Sequence, residues 1–163
     1  MSGSSAEPSL IDPATFRRCM RQVPGAVAVV TTLHQGTRSG LTATAVCSVS
    51  ADPPQILVCV NRSGTNEAVI AAAGRFGVSF LAHDQQTVAD AFAGGLEDRF
   101  ASAAWIELAS GIPILEGATA AFDCVITQAV HAGTHTIFIG GVVAAVAREG
   151  RNLIYKSGDY HAV

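Results

Sequence analysis

The sequence predicts a mainly β chain folded as an antiparallel barrel with attached helices. Three observations carry that expectation. The C-terminal half holds two long apolar-rich segments, 118–131 and 134–148, joined by a tight Ala-Gly turn. The first half holds the segment GLTATAVCSVS (40–50), then the proline turn ADPP (51–54), then the apolar run QILVCV (55–60). Helical patterns are short and confined to the first half and the periphery, as expected of helices packed against a sheet of short-turned strands.

In chain order, a helix opens at Asp12 and Pro13, where Asp suits the cap and Pro the first helical position. Phe16, Cys19, Met20 and Val23 recur along one side at helical spacing, and Arg17, Arg18 and Arg21 read as a solvated basic face. Segment 25–32 is a Val/Ala strand ending in two threonines, and 34–37 turns it into the next strand as a hairpin. In that next strand Thr42, Thr44, Ser48 and Ser50 share one parity, while Leu41, Ala43, Ala45, Cys47 and Val49 share the other. One face is then a row of hydroxyls, which suits either an ordinary half-exposed strand or a polar ligand lying close to the backbone.

Residues 61–66 form a polar loop in which Thr65 caps a helix reaching Ala72. A strand over 75–82, a helix over 85–92 and an irregular segment over 94–105 containing Asp98, Arg99 and Phe100 follow. After the two long strands comes a last short one over 152–156. Neither internal repeats nor a linker interrupts the pattern. A chain of 163 residues fits one domain, placed at 12–163 behind a disordered, Ser-rich lead at 1–11.

Composition excludes several classes of function. The net charge is −3 and the ten Lys and Arg are scattered apart from the trio near the start, so no basic stripe for nucleic acid is present. No run approaches the roughly 18 apolar residues of a membrane helix, and no basic start with an apolar core marks a secretory signal. The four cysteines, Cys19, Cys47, Cys59 and Cys124, form no CxxC pair and sit in apolar-rich segments. They read as small buried hydrophobes in a reducing compartment, so a cytoplasmic protein is expected.

Familiar catalytic motifs are missing. No GxGxxG opens a βαβ unit, no Walker loop occurs, and Ser48 and Ser50 lack a GxSxG elbow. His131 and His135 are four apart, but Gly133 between them marks a β-turn, and no metal site is expected. Polar residues concentrate instead in the hydroxyl strand, the 61–66 loop, 98–100, the 133–135 turn and 155–160.

Taken in order, those concentrations carry a resemblance. TAxxxxSVS before the Pro-Pro turn resembles the flavin-binding stretch of the short-chain flavin reductases, the reductase components of two-component flavin monooxygenases. Asp98-Arg99-Phe100 is similar to that family's mid-chain Arg-Phe motif, GTHTIFIG (133–140) to its Gly-Asp-His strand entry, and LIYKSGDY (153–160) to its Tyr-x-x-Gly-x-Tyr ending. Thr134 stands where the family usually has Asp, and the 61–66 loop matches more loosely.

The resemblance implies a six-stranded antiparallel Greek-key split barrel that binds FMN or FAD near the interface of a homodimer. It implies hydride transfer from NADH or NADPH to the flavin, which supplies the electrophilic centre itself. Reduced flavin then serves a flavin-dependent monooxygenase partner. Thr42, Ala43, Thr44 and Ala45 are assigned to the flavin ring, and Ser48, Val49 and Ser50 to the ribityl chain or phosphate. Asn61, Ser63 and Asn66 are assigned to the phosphate or adenylate beside a helix N-terminus. Arg99 is assigned to a phosphate, Phe100 to the flavin or adenine, and His135 to the nicotinamide and the hydride path as the catalytic candidate. Tyr155 and Tyr160 close the pocket or pack the barrel end. Two rivals stand beside this reading: a flavin-holding electron carrier or a split-barrel oxidoreductase with tightly bound FMN, and a structural dimer that binds no flavin.

Overall fold

A computed structural model describes residues 8–94 and 97–163; the first seven residues of the expected lead lie outside it. Helix α1 (Pro13–Met20) starts as the sequence predicts, with the Asp12 carboxylate accepting from the amides of Ala14 and Thr15, both at 2.9 Å. Strands β1 (Gly25–Ala26), β2 (Ala28–His34), β3 (Thr37–Ala43), β4 (Val46–Ala51) and β5 (Pro54–Asn61) follow. Then come α2 (Thr65–Ala73), β6 (Arg75–Phe80), α3 (Gln86–Ala93), a 3-10 turn (Arg99–Ser102), β7 (Trp105–Glu107) and β8 (Pro113–Leu115). The chain ends with β9 (Ala120–Ala132), β10 (His135–Ala147), β11 (Leu153–Lys156) and β12 (Asp159–Ala162).

The large sheet is antiparallel in the order β3-β2-β6-β9-β10-β5-β4. Its two edge strands are consecutive in sequence. Ala43 on one edge and Val46 on the other are separated by two residues, a reach of at most about 11 Å, so the sheet must curl back on itself into a barrel. Counted as one interrupted segment, β3 and β4 make this a six-stranded barrel. The expected single hydroxyl strand is thus corrected: it breaks at Thr44 and Ala45, where the chain crosses from one sheet edge to the other.

The break also reverses the alternation. Leu41 and Ala43 pack on the barrel interior, and so does Val46, so side chains on either side of the break follow opposite parity. A second shift comes between Ser48 and Ser50, at a bulge against Ile56 and Gln55. Ser48 lies opposite interior Ile56 and Ser50 opposite Gln55, and the hydroxyls form no continuous row.

Two cores result. The barrel interior holds Ala28, Val30, Val58, Val60, Phe76, Val78, Cys124 and Phe138, closed at one end by Ile70 of α2. At Gly140 a β-carbon would stand 2.7 Å from both Cys124 and the Phe76 ring, so the interior is filled to that backbone. Outside β2, β6 and the start of β9 lies the second core, where α3, the 3-10 turn and the β7–β8 hairpin cover Val27, Val29, Leu81 and Ala121. Polar groups staple this cover down. Thr31 donates to the Pro113 carbonyl at 2.6 Å, the Ser79 hydroxyl accepts from the Leu115 amide, and fully buried Asp123 holds the amide and hydroxyl of Ser110.

Several local expectations change. Gly64 occupies the cap position of α2 and makes no side-chain cap; Thr65 is already helical. The α1 stripe of Phe16, Met20 and Val23 is exposed, and α1 buries none of its residues. Cys19 and Cys47 are exposed, Cys59 is half-buried, and Cys124 alone among the four is fully buried. Burial, reinforced by Asp123, pushes the Cys124 thiol up to about 12.

Candidate active site

The break at Thr44 and Ala45 opens beside the small β1-β11-β12 sheet, where Gly25 pairs with Tyr155 and Tyr155 with Tyr160. Close approach is required there. A β-carbon on Gly25 would stand 2.9 Å from that of Thr44. The β11–β12 connection is a two-residue turn through Ser157 (φ 58°) and Gly158 (φ 98°), and it docks on α1: the Ser157 amide and hydroxyl both donate to the Arg21 carbonyl.

Two adjoining cavities meet at this point. The larger, about 630 Å³, lies between α1 and the β11–β12 turn and includes Gly25, Thr44, Ala45 and Tyr155 in its wall. The smaller, about 280 Å³, is walled by Val27, Thr42, Ala43, Thr44, Tyr155 and Tyr160. Thr44 and Tyr155 belong to both. Tyr155 is 40% exposed and meets Tyr160 edge-on with ring centroids 5.2 Å apart. Burial, and then the Asp90 carboxylate, push the Tyr160 phenol up, so it stays a neutral donor.

The sequence-assigned residues divide between this place and three others. Ala43, Thr44, Ala45 and Tyr155 come together here. Thr42 also lines the smaller cavity, but its hydroxyl donates to the Ala89 carbonyl at 2.6 Å, so it is engaged in joining β3 to α3. Ser50 serves its own turn, accepting from the Asp52 amide at 3.2 Å, while Ser48 and Val49 are exposed on β4 at the bulge.

Asn66, Arg99 and Phe100 gather instead at a polar groove of about 500 Å³ beside Arg38, Ser39 and Gly40. The groups there are already engaged. Asn66 accepts from Ser39 at 2.6 Å, and Arg99 donates to the Gly40 carbonyl at 2.8 Å. Phe100 is mostly buried: it is 7% exposed, packs against Phe92 and Trp105, and carries the Arg38 guanidinium over its ring at 4.6 Å. It also lines the groove, so a contact of Phe100 with flavin or adenine would lie there and not at the two cavities.

His135 opens β10 opposite Asn61, and its Nδ1 lies 2.8 Å from the Thr134 hydroxyl. Asn61 accepts from the Ser63 amide at 2.8 Å, shaping the loop ahead of α2. His135 and Asn61 share the outer face of the sheet with Cys59, whose amide donates to the Ala45 carbonyl. His135 therefore stands two strands away from Ala45 on the same face, outside both cavities. The sequence missed the contributions of Gly25 and of α1 to the larger cavity. Its signal was visible, because the Phe16, Met20 and Val23 stripe has no strand of its own to cover.

A planar, mostly apolar ring fits this place. Small side chains at Gly25, Ala43 and Ala45 leave a shallow floor, Thr44 and the two phenols supply polar contacts, and the volume lies in the range of small-molecule sites.

Known proteins resemble the chain over nearly its whole length. The flavin reductase like domain matches residues 20–163. The chain is 41% identical over 165 residues to an FMN reductase (NADH), RutF, of Ancylobacter novellus, covering 99% of this chain and 91% of that protein. Among solved structures it matches BorF, the flavin reductase component of a bacterial two-component tryptophan halogenase, with TM-score 0.86 and 35% identity over 93% of this chain and 98% of that one. It also matches the styrene monooxygenase flavin reductase of Pseudomonas putida S12, with TM-score 0.83 and 30% identity over 91% and 97%.

Proposed function

The chain belongs to the flavin reductase-like family, and we propose that its flavin ring sits over Thr44 and Ala45 against Tyr155, where it takes hydride from NAD(P)H. The protein is an NAD(P)H-dependent flavin reductase that supplies reduced flavin to a partner monooxygenase. NAD(P)H, a proton and oxidised flavin give NAD(P)⁺ and reduced flavin. The flavin, when bound, supplies the hydride acceptor.

The observation that carries the location is the break in the barrel wall at Thr44 and Ala45, which meets both cavities. The chain's own residues do three things there. Gly25, Ala43 and Ala45 leave room for two flat rings to approach, Thr44 and the phenols fix orientation, and α1 with the β11–β12 turn limits access of water. No nucleophile or strong acid is required. His135 stands on the same outer face as Cys59 and is proposed as a contact to the donor's carboxamide through the imidazole nitrogen not facing Thr134.

A homodimer belongs to the same proposal. Val49, Leu57, Cys59, Val130, Ile137 and Ile139 lie on the outer face of β4, β5, β10 and the end of β9, exposed or half-buried, and belong to neither core. A second copy would cover this apolar face and close the open side of the site. The assignment of Ser48, Asn61 and Ser63 to the ribityl chain and phosphate is part of the proposal. None of the described helices is long and apolar enough to cross a membrane. Cytoplasmic residence is proposed with it, supported by the free state of all four cysteines. The relatives' descriptions agree on NADH and divide on the flavin, FMN for the RutF proteins and FAD for an oxidoreductase of Streptomyces globisporus.

Oxidation of NADH and NADPH, followed with no flavin, with FMN and with FAD, tests the function. Turnover that depends on added flavin is expected, and the pair with the highest kcat/KM names the preference. Protein that purifies yellow and oxidises neither donor would instead be a flavin carrier.

A further inference from the structure

We infer that the cavity under α1 holds the diphosphate of the nicotinamide dinucleotide, gripped by Arg17, Arg21 and Lys156. This rests on the flavin reductase reading and deepens it, naming the donor's seat. Three of the chain's ten basic side chains line this one cavity, and no carboxylate does, in a protein whose net charge is −3. The polar groove beside Arg99 offers the contrast. There Arg38 and Arg99 stand with Glu97 and Asp98, and both cations are already occupied by the Phe100 ring and the Gly40 carbonyl.

Under α1 the cations are free to meet a ligand. Among the described residues Arg17 and Lys156 make no side-chain hydrogen bond, and Arg21 makes one long contact, 3.4 Å to the Ser157 carbonyl. Arg21 is nevertheless held in place, because its own carbonyl takes both the amide and the hydroxyl of Ser157. The remaining wall is apolar: Phe16, at 54% exposure, and Met20 and Val23 face the space without a core to join.

A cationic rim over an apolar floor matches a dinucleotide, which presents two phosphate charges between two flat ring systems. The position fits too. The cavity shares Thr44, Ala45 and Tyr155 with the proposed flavin seat, so a diphosphate at α1 leaves the nicotinamide within reach of the flavin ring. The exposed stripe of α1 is thereby accounted for as a lid over the donor rather than a face awaiting the barrel.

The test uses the full chain with Arg17→Ala, Arg21→Ala and Lys156→Ala, and Arg18→Ala as a control on the same helix. Steady-state KM is measured for NADH and for NADPH at saturating FMN, and calorimetry gives the affinities of flavin-free protein for NAD⁺, NADP⁺ and FMN. Each of the three variants should raise KM and weaken NAD⁺ and NADP⁺ alike by about tenfold, the worth of one charge-assisted contact, with FMN affinity intact. Arg18→Ala should change none of these. Unchanged donor binding in all three, an equal loss in Arg18→Ala, or a loss falling on FMN would overturn the assignment. A loss confined to NADPH and NADP⁺ would move the cations to the 2′-phosphate and overturn the diphosphate. Wild-type protein that reduces no flavin would defeat the reductase reading; the NAD⁺ and NADP⁺ titrations would then still decide this one, with no binding refuting it.

Discussion

Around β2, β6 and the first part of β9 the barrel wall is covered by α3, the 3-10 turn and the β7–β8 hairpin, and its polar side chains are used up in holding that cover. Around β4, β5, β10 and the end of β9 the same kind of strand leaves Val49, Leu57, Cys59, Ile137 and Ile139 outside both cores. Thr42 and Thr44, two residues apart, fall on either side of this divide. Thr42 is tied to Ala89, while Thr44 looks into two cavities. The lesson is that hydroxyl content alone does not locate a site. What distinguishes the half proposed to hold the flavin is groups whose partners are not supplied by the chain itself.

Breaking this contrast most severely means placing a charge on each face. Ile114→Asp, in the covered core, is expected to unfold the protein, losing more than about 4 kcal/mol through an unpaired buried charge. Ile137→Asp, on the uncovered face, should stay folded but sediment as a monomer with little flavin turnover. Chemical denaturation and analytical ultracentrifugation separate the two, and an unfolded Ile137→Asp would erase the distinction.

Aromatic truncations sharpen it next. Phe92→Ala is expected to cost about 3–5 kcal/mol, since Phe92 packs against Phe100 and Trp105, without altering FMN affinity per folded molecule. Tyr155→Ala should do the reverse, weakening FMN about tenfold while stability moves by less than about 1 kcal/mol, because the ring is already part-exposed. Smaller still is the threonine pair. Thr42→Val should lower stability by about 1 kcal/mol through the lost hydrogen bond to Ala89, and Thr44→Val should affect FMN affinity alone.

Sequence alternation was enough to find β2, β5, β6, β9 and β10, and capping signals or apolar spacing found the three short helices. It carried straight through residues 40–50, since alanine and threonine tolerate either face and nothing local announces the edge-to-edge crossing. β7, β8 and β12 escaped because each has only three or four residues, and β11, equally short, was found through the apolar pair Leu153 and Ile154. Of the proposed site, Ala43, Thr44, Ala45 and Tyr155 were named from motif order, and the structure brings them together. The engagement of Thr42 with Ala89, and of Arg99 with Gly40, was not, because those partners lie 47 and 59 residues away.

Thiol chemistry gives the mildest check on the two halves. Cys124, raised to about 12, remains a protonated thiol at pH 8 and should resist iodoacetamide in every folded variant. Cys47, on the uncovered face, should react slowly in the dimer and faster in Ile137→Asp. Equal rates would argue that no second copy covers that face.

The most direct measurement is hydrogen–deuterium exchange of the flavin-free protein with and without saturating FMN. New protection is expected over residues 44–49 and around Tyr155, with residues 36–40 and 97–100 unchanged. Protection concentrated on 36–40 and 97–100, with none at 44–49, would place the flavin in the polar groove and contradict the assignment of the site to the break in the barrel wall.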